Sequence, residues 1–214
     1  MSGSQIVAVL GEKATDDLKL TSEADMIELR LDLISDPLPA IKAIRQATTK
    51  PIIATNRLQA EGGKFPGSER ERIELLLSAS EYADFADIEL QAELREEFIS
   101  RVSLPVIVSY HDFQGMPDIH ELETILNEMI TAGATIAKIA VTPASLKDNL
   151  DLLEFLLAAE MPLCLIAMGD AGRHLRAVAP LYGSALTYGY VRESTAPGQM
   201  SLKELSIARR VLKW

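Results

Sequence analysis

The chain has 214 residues, 48% of them hydrophobic and 24% charged, which is the composition of a soluble domain that buries a core. Its formal net charge of −10, without any basic run, argues against nucleic acid and anionic membranes as partners. We find neither an apolar run near the roughly 20 residues of a membrane-spanning helix nor a secretory signal. The single cysteine, Cys164, cannot form an internal disulfide, so we expect a cytoplasmic protein.

Short β-type runs alternate with helical stretches along the whole sequence. The predicted strands cover residues 5–10, 25–34, 51–58, 85–90, 105–111, 134–142, 163–168 and 184–191. The predicted helices cover residues 16–20, 37–48, 69–82, 92–100, 118–132, 144–160, 173–179 and 201–213. Such alternation predicts a parallel sheet with helical crossovers. Eight units fit a closed (β/α)8 TIM barrel, a single α/β domain spanning residues 1–214.

An open, doubly wound sheet is the alternative architecture. Such sheets usually have five or six strands, and the dinucleotide fingerprint is missing because Gly169 and Gly172 stand at the wrong spacing. Residues 62–64 (Gly-Gly-Lys) lack the upstream glycine and the following Ser or Thr of a P-loop. We therefore predict the barrel.

Lys138 is the most unusual strand residue, because it interrupts an apolar run and has no acidic neighbour within four positions. A strand that is apolar on both faces is typical of a parallel sheet covered by helices. Lysine is rarely buried in such a place unless it is paired or functional. Burial disfavours the ammonium form and favours a neutral amine that can attack a carbonyl. The alternative is a lysine whose stem is buried while its head reaches solvent.

Other polar residues concentrate at the carboxyl ends of the predicted strands, where a barrel of this kind holds its active site. On strand two, Glu28, Arg30 and Asp32 occupy alternate positions and should point to one side, as an ion-pair ladder or a polar site. Further members of this set are Arg57, Glu61, Asp87, Glu89, His111, Asp112, Lys138, Arg176, Thr195 and Gln199. Ion pairs with a purely structural role would be scattered along the strands rather than concentrated at one end. We therefore predict a functional site at that end.

The residue types in this set favour an organic anion over a metal ion as the ligand. The three histidines of the chain show no ligand spacing, and the arginines and lysine of the set would repel a divalent cation. Arginine suits a carboxylate, carboxylates suit hydroxyls, lysine suits a ketone, and histidine suits a proton shuttle. We therefore predict a small polyhydroxylated carboxylate with a ketone as the substrate.

These segments together resemble the type I 3-dehydroquinate dehydratases, the Schiff-base enzymes of the shikimate pathway. The matching segments, in family order, are residues 28–32, 57–63 and 109–113, Lys138, Met168 with Arg176, and residues 196–199. The resemblance implies a (β/α)8 barrel, dehydration of 3-dehydroquinate to 3-dehydroshikimate, and a homodimer. It also implies that no metal or organic cofactor takes part, because the lysine imine supplies the electron sink.

The resemblance further implies roles for individual residues. Lys138 matches the lysine that forms the imine, His111 matches the general acid/base, and Glu61 matches the carboxylate paired with it. The implied substrate contacts are Arg176 and Gln199 for the carboxylate, Glu28 and Arg57 for ring hydroxyls, Arg30 beside Glu28, Met168 and Tyr188 as pocket walls, and Thr195. Thr195 keeps a hydroxyl where many members have serine. Asp87 resembles a group that supports the site from behind.

Two other functions stay open. A class I aldolase on the same barrel also uses a lysine on strand six, and Gly169, Gly172 and Gly198 could contribute to the phosphate site that it usually needs. A non-catalytic binding barrel, in which Lys138 only neutralises carboxylates, is the second. The apolar C-terminal helix at residues 201–213 could pack on the barrel or on a partner, and packing on the barrel is the simpler expectation.

Overall fold

Eight parallel strands follow one another around a barrel in residues 3–214, the part of the chain that the computed structural model describes. The strands are β1 (Gln5–Leu10), β2 (Met26–Arg30), β3 (Ile52–Thr55), β4 (Phe85–Glu89), β5 (Val106–Asp112), β6 (Ile136–Val141), β7 (Leu163–Ala167) and β8 (Leu186–Tyr190). A strand of two residues, β9 (Met200–Ser201), pairs with the end of β8.

The strand order is β7-β6-β5-β4-β3-β2-β1-β8, and all these neighbours are parallel. The two outer strands meet at a seam, where the Ala185 N–H donates to the Leu163 carbonyl over 2.8 Å. The Cys164 thiol lies 3.3 Å from the Leu186 carbonyl on the same seam. The predicted (β/α)8 barrel is confirmed, and the open doubly wound alternative is wrong.

Helices cover the outside of this barrel. They are α1 (Ala14–Asp17), α2 (Pro37–Ala47), α3 (Glu69–Ser80), α4 (Arg95–Arg101), α5 (Ile119–Thr131), α6 (Leu146–Ala158), α7 (Gly169–Gly172), α8 (Leu175–Val178) and α9 (Leu202–Leu212). Helices α3, α6 and α9 each begin with a capping box, in which a serine and the acidic residue three positions later exchange hydrogen bonds with the backbone. Each cap satisfies amide groups that the first turn leaves free, and contributes about 1 kcal/mol.

Alternation along the strands separates two apolar layers. Ile27 and Leu29 of β2 belong to the large cluster between sheet and helices, whereas Val7 and Ile53 belong to the cluster inside the barrel. Burying each of these side chains stabilises the fold by roughly 1.5–3 kcal/mol. Glu28 lies between Ile27 and Leu29, so the same packing that buries its neighbours directs its carboxylate into the barrel.

The elements at the barrel rim are shorter than the sequence predicts. Strand β2 ends at Arg30, and Leu31–Leu33 form a 3-10 turn, so the predicted alternation does not extend to Asp32. The Asp32 carboxylate instead folds back and accepts two hydrogen bonds of 2.8 Å from Arg30. Strand β3 ends at Thr55, and a second 3-10 turn at Gln59–Glu61 follows it. The predicted helix at 173–179 is likewise shorter, since α8 covers only Leu175–Val178, and a separate short helix, α7, precedes it.

The C-terminal helix α9 packs on the barrel, as the simpler expectation had it. Leu202 and Leu205 are buried in one cluster with Ile6 and Ala8 of β1. Ile207 and Val211 on the same helix are exposed. In residues 3–214 no helix combines the length and the apolar character that crossing a membrane requires.

Candidate active site

All eleven predicted site residues line one cavity at the carboxyl ends of the strands. They are Glu28, Arg30, Arg57, Glu61, His111, Lys138, Met168, Arg176, Tyr188, Thr195 and Gln199. Phe113, to which sequence reasoning gave no role, also lines the cavity, and its ring stacks on His111 with 6.4 Å between the ring centroids. The role of each residue stays a prediction.

Lys138 is buried and its amine is paired. Its Nζ donates to Asp87 Oδ2 over 2.9 Å and lies 3.5 Å from Glu28 Oε1. It also stands over the Tyr188 ring, 4.3 Å from the centroid. The sequence shows no acidic residue within four positions of Lys138, and its partners accordingly come from β4 and β2 rather than from β6. The alternative of a head that reaches solvent is wrong, because the residue is only 4% exposed.

Asp87 is the hub of this pairing. Its Oδ1 accepts a 2.7 Å hydrogen bond from the Ser109 hydroxyl and lies 2.9 Å from Arg57 Nη1. Burial alone would raise the pKa of the Asp87 carboxyl, but the cations Arg57 and Lys138 outweigh burial and hold that pKa well below its ordinary value. Asp87 thus stays ionised and fixes the amine of Lys138 in the barrel.

Arg57 joins this hub to a second buried carboxylate. Its Nη1 donates to Glu89 Oε1 over 2.7 Å and to the Ser109 hydroxyl over 2.6 Å. Arg72 of α3 approaches Glu89 from the other side, with 2.9 Å between Nη1 and Oε2. Sequence reasoning missed Arg72, although it lies four residues before the buried Leu76 and so occupies the buried face of α3.

His111 and Glu61 form a buried pair, with 2.8 Å between Nδ1 and Oε2. Gly62, with φ of +84°, and Gly63, where a Cβ would lie 1.8 Å from the Arg57 carbonyl oxygen, shape the tight turn that presents Glu61. Burial raises the pKa of Glu61 to about 8, although Arg57 opposes the shift. Burial, together with the cations Arg57 and Lys138, lowers the pKa of His111 well below its ordinary value. At neutral pH the imidazole is therefore uncharged, and the pair exchanges one proton near pH 8.

Arg176 is a buried cation without a carboxylate partner among residues 3–214. Its Nη2 donates to the Pro197 carbonyl over 3.1 Å, and its buried Nε meets no acceptor in the described chain. Burial lowers its pKa to about 10. A guanidinium in this state favours an anionic ligand, because a buried charge is costly until it is paired.

Gln199 lines the same cavity as Arg176. Its Oε1 accepts hydrogen bonds from the Thr195 amide, over 2.8 Å, and from the Thr195 hydroxyl, over 3.1 Å. These contacts orient the side-chain amide so that its NH2 group is available to a ligand. Arg30, at the end of β2, is held by Asp32 and donates to the Gly62 carbonyl over 3.4 Å.

The part of the chain that the structure covers, 3–214, contains no group of three or more His, Cys, Asp or Glu side chains arranged to hold a metal ion. The arrangement of cations and carboxylates instead suits a small organic anion. It offers an amine, an acid–base pair and a buried guanidinium within one cavity.

Known proteins resemble this chain along nearly its whole length. The family model described as "Type I 3-dehydroquinase" matches residues 7–213. The 3-dehydroquinate dehydratase of Methanothrix thermoacetophila is 53% identical over 189 residues, 88% of this chain and 82% of the relative. That of Methanocella arvoryzae is 42% identical over 97% of this chain and 96% of the relative.

Two crystal structures extend the likeness to three dimensions. The 3-dehydroquinate dehydratase of Geobacillus kaustophilus has a TM-score of 0.91 at 28% identity, over 99% of this chain and 92% of that one. The type I enzyme of Clostridium difficile, described as carrying covalently modified comenic acid, has a TM-score of 0.87 at 28% identity, over 99% and 93% of the two chains. Fold and sequence therefore agree, and this chain belongs to the type I 3-dehydroquinase family.

Proposed function

We propose that this protein dehydrates 3-dehydroquinate to 3-dehydroshikimate through an imine on Lys138, as a lyase of the shikimate pathway of aromatic amino-acid biosynthesis. The observation that carries the proposal is the buried Lys138 amine, held 2.9 Å from Asp87 in a cavity that also contains the His111–Glu61 pair. The names of the relatives agree with this reaction, and so does the covalently modified ligand of the Clostridium difficile structure.

Substrate binding follows from the charges of the cavity. Arg176 and the free amide of Gln199 suit the substrate carboxylate, since that anion would pair the buried guanidinium. Glu28 and Arg57 suit ring hydroxyls, one as acceptor and one as donor. Bound in this way, the ketone lies toward Lys138.

The first chemical step joins Lys138 to the substrate. The neutral amine attacks the ketone carbon to give a carbinolamine, whose hydroxyl takes up one proton and leaves as water, so that a protonated imine remains. The iminium withdraws electrons from the adjacent C–H bond. Asp87 and Glu28, 2.9 and 3.5 Å from Nζ, compensate the positive charge that the nitrogen carries.

The His111–Glu61 pair then moves the proton. With Nδ1 facing Glu61, the second ring nitrogen is available to the ligand. That nitrogen removes the proton next to the iminium, and the electron pair forms an enamine. The same nitrogen returns the proton to the hydroxyl two carbons from the imine carbon, which leaves as water while the iminium re-forms. Hydrolysis of the imine releases the product and restores Lys138, so the net change is the loss of one water.

The class I aldolase, our alternative from the sequence, is not favoured by the family match. The pairing of Lys138 with two carboxylates leaves open a purely structural role for the lysine, as in a non-catalytic barrel. Reductive trapping of the imine distinguishes a catalytic role of Lys138 from a structural one.

The test is to incubate the protein with 3-dehydroquinate, add borohydride, and locate any modified peptide by mass spectrometry. We expect one reduced adduct on Lys138, product formation in the untreated sample, and loss of both in Lys138→Ala. Lys147→Ala is the matched control, because Lys147 is an exposed lysine on α6. A folded wild-type protein that neither forms an adduct nor consumes the substrate would refute the proposal.

We further propose that residues 1–214 act as one catalytic domain, cytoplasmic and homodimeric, with a small-molecule substrate and neither nucleic acid nor membrane as partner. The net charge of −10 supports the last point, since polyanions would be repelled. Sedimentation equilibrium of the purified protein measures the assembly state directly.

A further inference from the structure

Arg72 is a buried arginine that stands behind the cavity without lining it. From α3 its Nε and Nη2 donate to the two oxygens of Glu69, over 2.6 and 2.9 Å. Its Nη1 donates to the Asn56 carbonyl over 2.5 Å and to Glu89 Oε2 over 2.9 Å. One guanidinium therefore joins the helix layer to the ends of β3 and β4.

The Arg72–Glu89 pair holds the short segment that carries Arg57 into the cavity. Asn56 is bound twice, because its side-chain amide also donates to the Arg72 carbonyl over 3.0 Å. Glu89 Oε1 accepts from the Leu58 amide over 2.9 Å and from Arg57 Nη1 over 2.7 Å. The residues before, at and after Arg57 are thus all tied to this pair.

Arg72 also completes a row of alternating buried charges. The row runs Arg72, Glu89, Arg57, Asp87, Lys138, with closest contacts of 2.9, 2.7, 2.9 and 2.9 Å. Both carboxylates in the row are fully buried. Without Arg72, the single cation Arg57 would have to compensate Glu89 and share Asp87 with Lys138.

We propose that Arg72 is a positioning residue for the reaction: it holds Arg57 at the cavity and balances the charges that end at Lys138. The inference rests on the proposed dehydration, because Arg57 and Lys138 act on the substrate there. Arg72 itself touches no substrate.

Removing the charge of Arg72 takes one positive charge out of the row, and the more negative row favours the ammonium form of Lys138. Imine formation needs the neutral amine and should therefore require a higher pH. The titratable and charged groups that face Lys138 or line its cavity are Glu28 and Arg30 on β2, Arg57 and Glu61 after β3, Asp87 on β4, His111 on β5, Cys164 on β7, Arg176 on α8 and Tyr188 on β8. None of these residues is itself substituted in a position-72 variant, so a change in the trapping midpoint reports the altered row, including the placement of Arg57.

The experiment compares Arg72→Gln and Arg72→Lys with wild type. The control is Arg70→Gln, on the same helix, where an exposed arginine pairs with Glu97. For each protein we measure kcat and KM with 3-dehydroquinate, borohydride trapping as a function of pH, and the melting temperature. Rates are taken per folded molecule.

We expect Arg70→Gln to match wild type. Arg72→Gln should lose roughly 10- to 100-fold in kcat/KM, the usual cost of removing a group that orients an active-site residue, and its half-maximal trapping should move to higher pH. Arg72→Lys should move the trapping midpoint back toward wild type. The loss in kcat/KM should remain in Arg72→Lys, because one ammonium cannot span Glu69, Glu89 and the Asn56 carbonyl. A variant that melts earlier but keeps wild-type kinetics and trapping would show that Arg72 is only structural.

If Arg72→Gln does not fold, Glu69→Gln tests the same row of charges, because it removes a negative charge beside Arg72 instead of a positive one. The Glu69 side chain is 18% exposed, and its loss leaves Arg72 with an excess of positive charge toward Glu89. Trapping should then reach half its maximum at lower pH than in wild type. An unchanged or higher midpoint would refute the proposal that Arg72 balances the charges of the row. A wild-type protein inactive on 3-dehydroquinate would refute the proposed function instead. Active wild type with an unaffected Arg72→Gln would refute this inference alone.

Discussion

Lys138 Nζ and Asp87 Oδ2 lie 2.9 Å apart in a buried ion pair that reaches from β6 to β4 across the intervening β5. The pair does two things at once. It makes the burial of the lysine tolerable, and it places a negative charge beside the nitrogen that becomes an iminium in the proposed reaction. The fold and the chemistry therefore depend on the same contact.

Asp87→Asn should lower the free energy of unfolding at neutral pH by about 3 kcal/mol, because two buried cations lose a shared partner. Urea denaturation measures the change. Since the pKa of Asp87 in the folded protein is held well below 3.8, its stabilising contribution is present above that pH and is lost as the pH falls through the folded value. Glu74→Gln, which removes an exposed pair with Arg101, is the control and should cost less than about 1 kcal/mol. Equal costs for the two variants would contradict this account.

His111→Ala should still form the imine but should not turn it over. We expect kcat to fall by roughly 10²- to 10⁴-fold, the range for loss of a general acid/base, while borohydride still traps an adduct on Lys138. Steady-state kinetics and mass spectrometry read the two effects separately. His120→Ala is the matched control, because the His120 side chain on α5 is 95% exposed. Near-normal kcat in His111→Ala would assign the proton transfer to another group.

Sequence reasoning predicted the barrel and the charged residues of the cavity from short-range patterns, whereas Met168 and Tyr188 were implied by the family resemblance. Ile27 and Leu29 must face the helices, so Glu28 must face the interior, and this follows from a period of two within one strand. The parallel strands then bring such residues to one end of the barrel. In the structure the alternation ends at Arg30, because Asp32 turns back onto Arg30 in a 3-10 turn. The sequence pattern does not reveal this turn.

The partners of the charged residues could not be predicted in the same way. Lys138 and Asp87 are 51 positions apart in the sequence, and their contact exists only once β4, β5 and β6 are in register. Sequence reasoning assigned no role to Arg72. Its spacing from Leu76 indicates the buried face of α3, but its pairing with Glu89 at the end of β4 depends on how α3 packs against the sheet and not on periodicity.

Arg176→Gln should weaken substrate binding without weakening the fold. Losing a charge-assisted contact to the substrate carboxylate costs roughly 1.5–3 kcal/mol, or about 10- to 100-fold in KM, with a smaller effect on kcat. The free protein should be no less stable, because Arg176 is a buried cation that pairs with no carboxylate within residues 3–214. Steady-state kinetics measure the change in KM, and urea denaturation measures the stability of the free protein. The exposed Arg210→Gln is the control for both. An unchanged KM would place the carboxylate elsewhere.

Glu61→Gln should separate stability from activity. Burial raises the pKa of Glu61 from 4.5 to about 8, so the folded protein keeps a proton that the unfolded chain releases between those values. The native state is therefore penalised progressively as the pH rises from 4.5 to 8, up to a limit of about 5 kcal/mol, and the penalty is constant above pH 8. Glutamine keeps the shape and a contact to His111 but does not titrate.

The variant should thus match wild type in unfolding free energy near pH 4.5 and exceed it increasingly up to pH 8, while kcat falls because the His111 pair has lost its exchangeable proton. Urea denaturation at several pH values, beside kcat measured at the same values, gives both curves. The exposed Glu123→Gln, next to His120 on α5, controls for the loss of one carboxylate from the net charge. A stability difference that does not grow with pH would mean that Glu61 is ionised in the folded protein. The proton exchanged with the substrate would then have to reside on His111 alone.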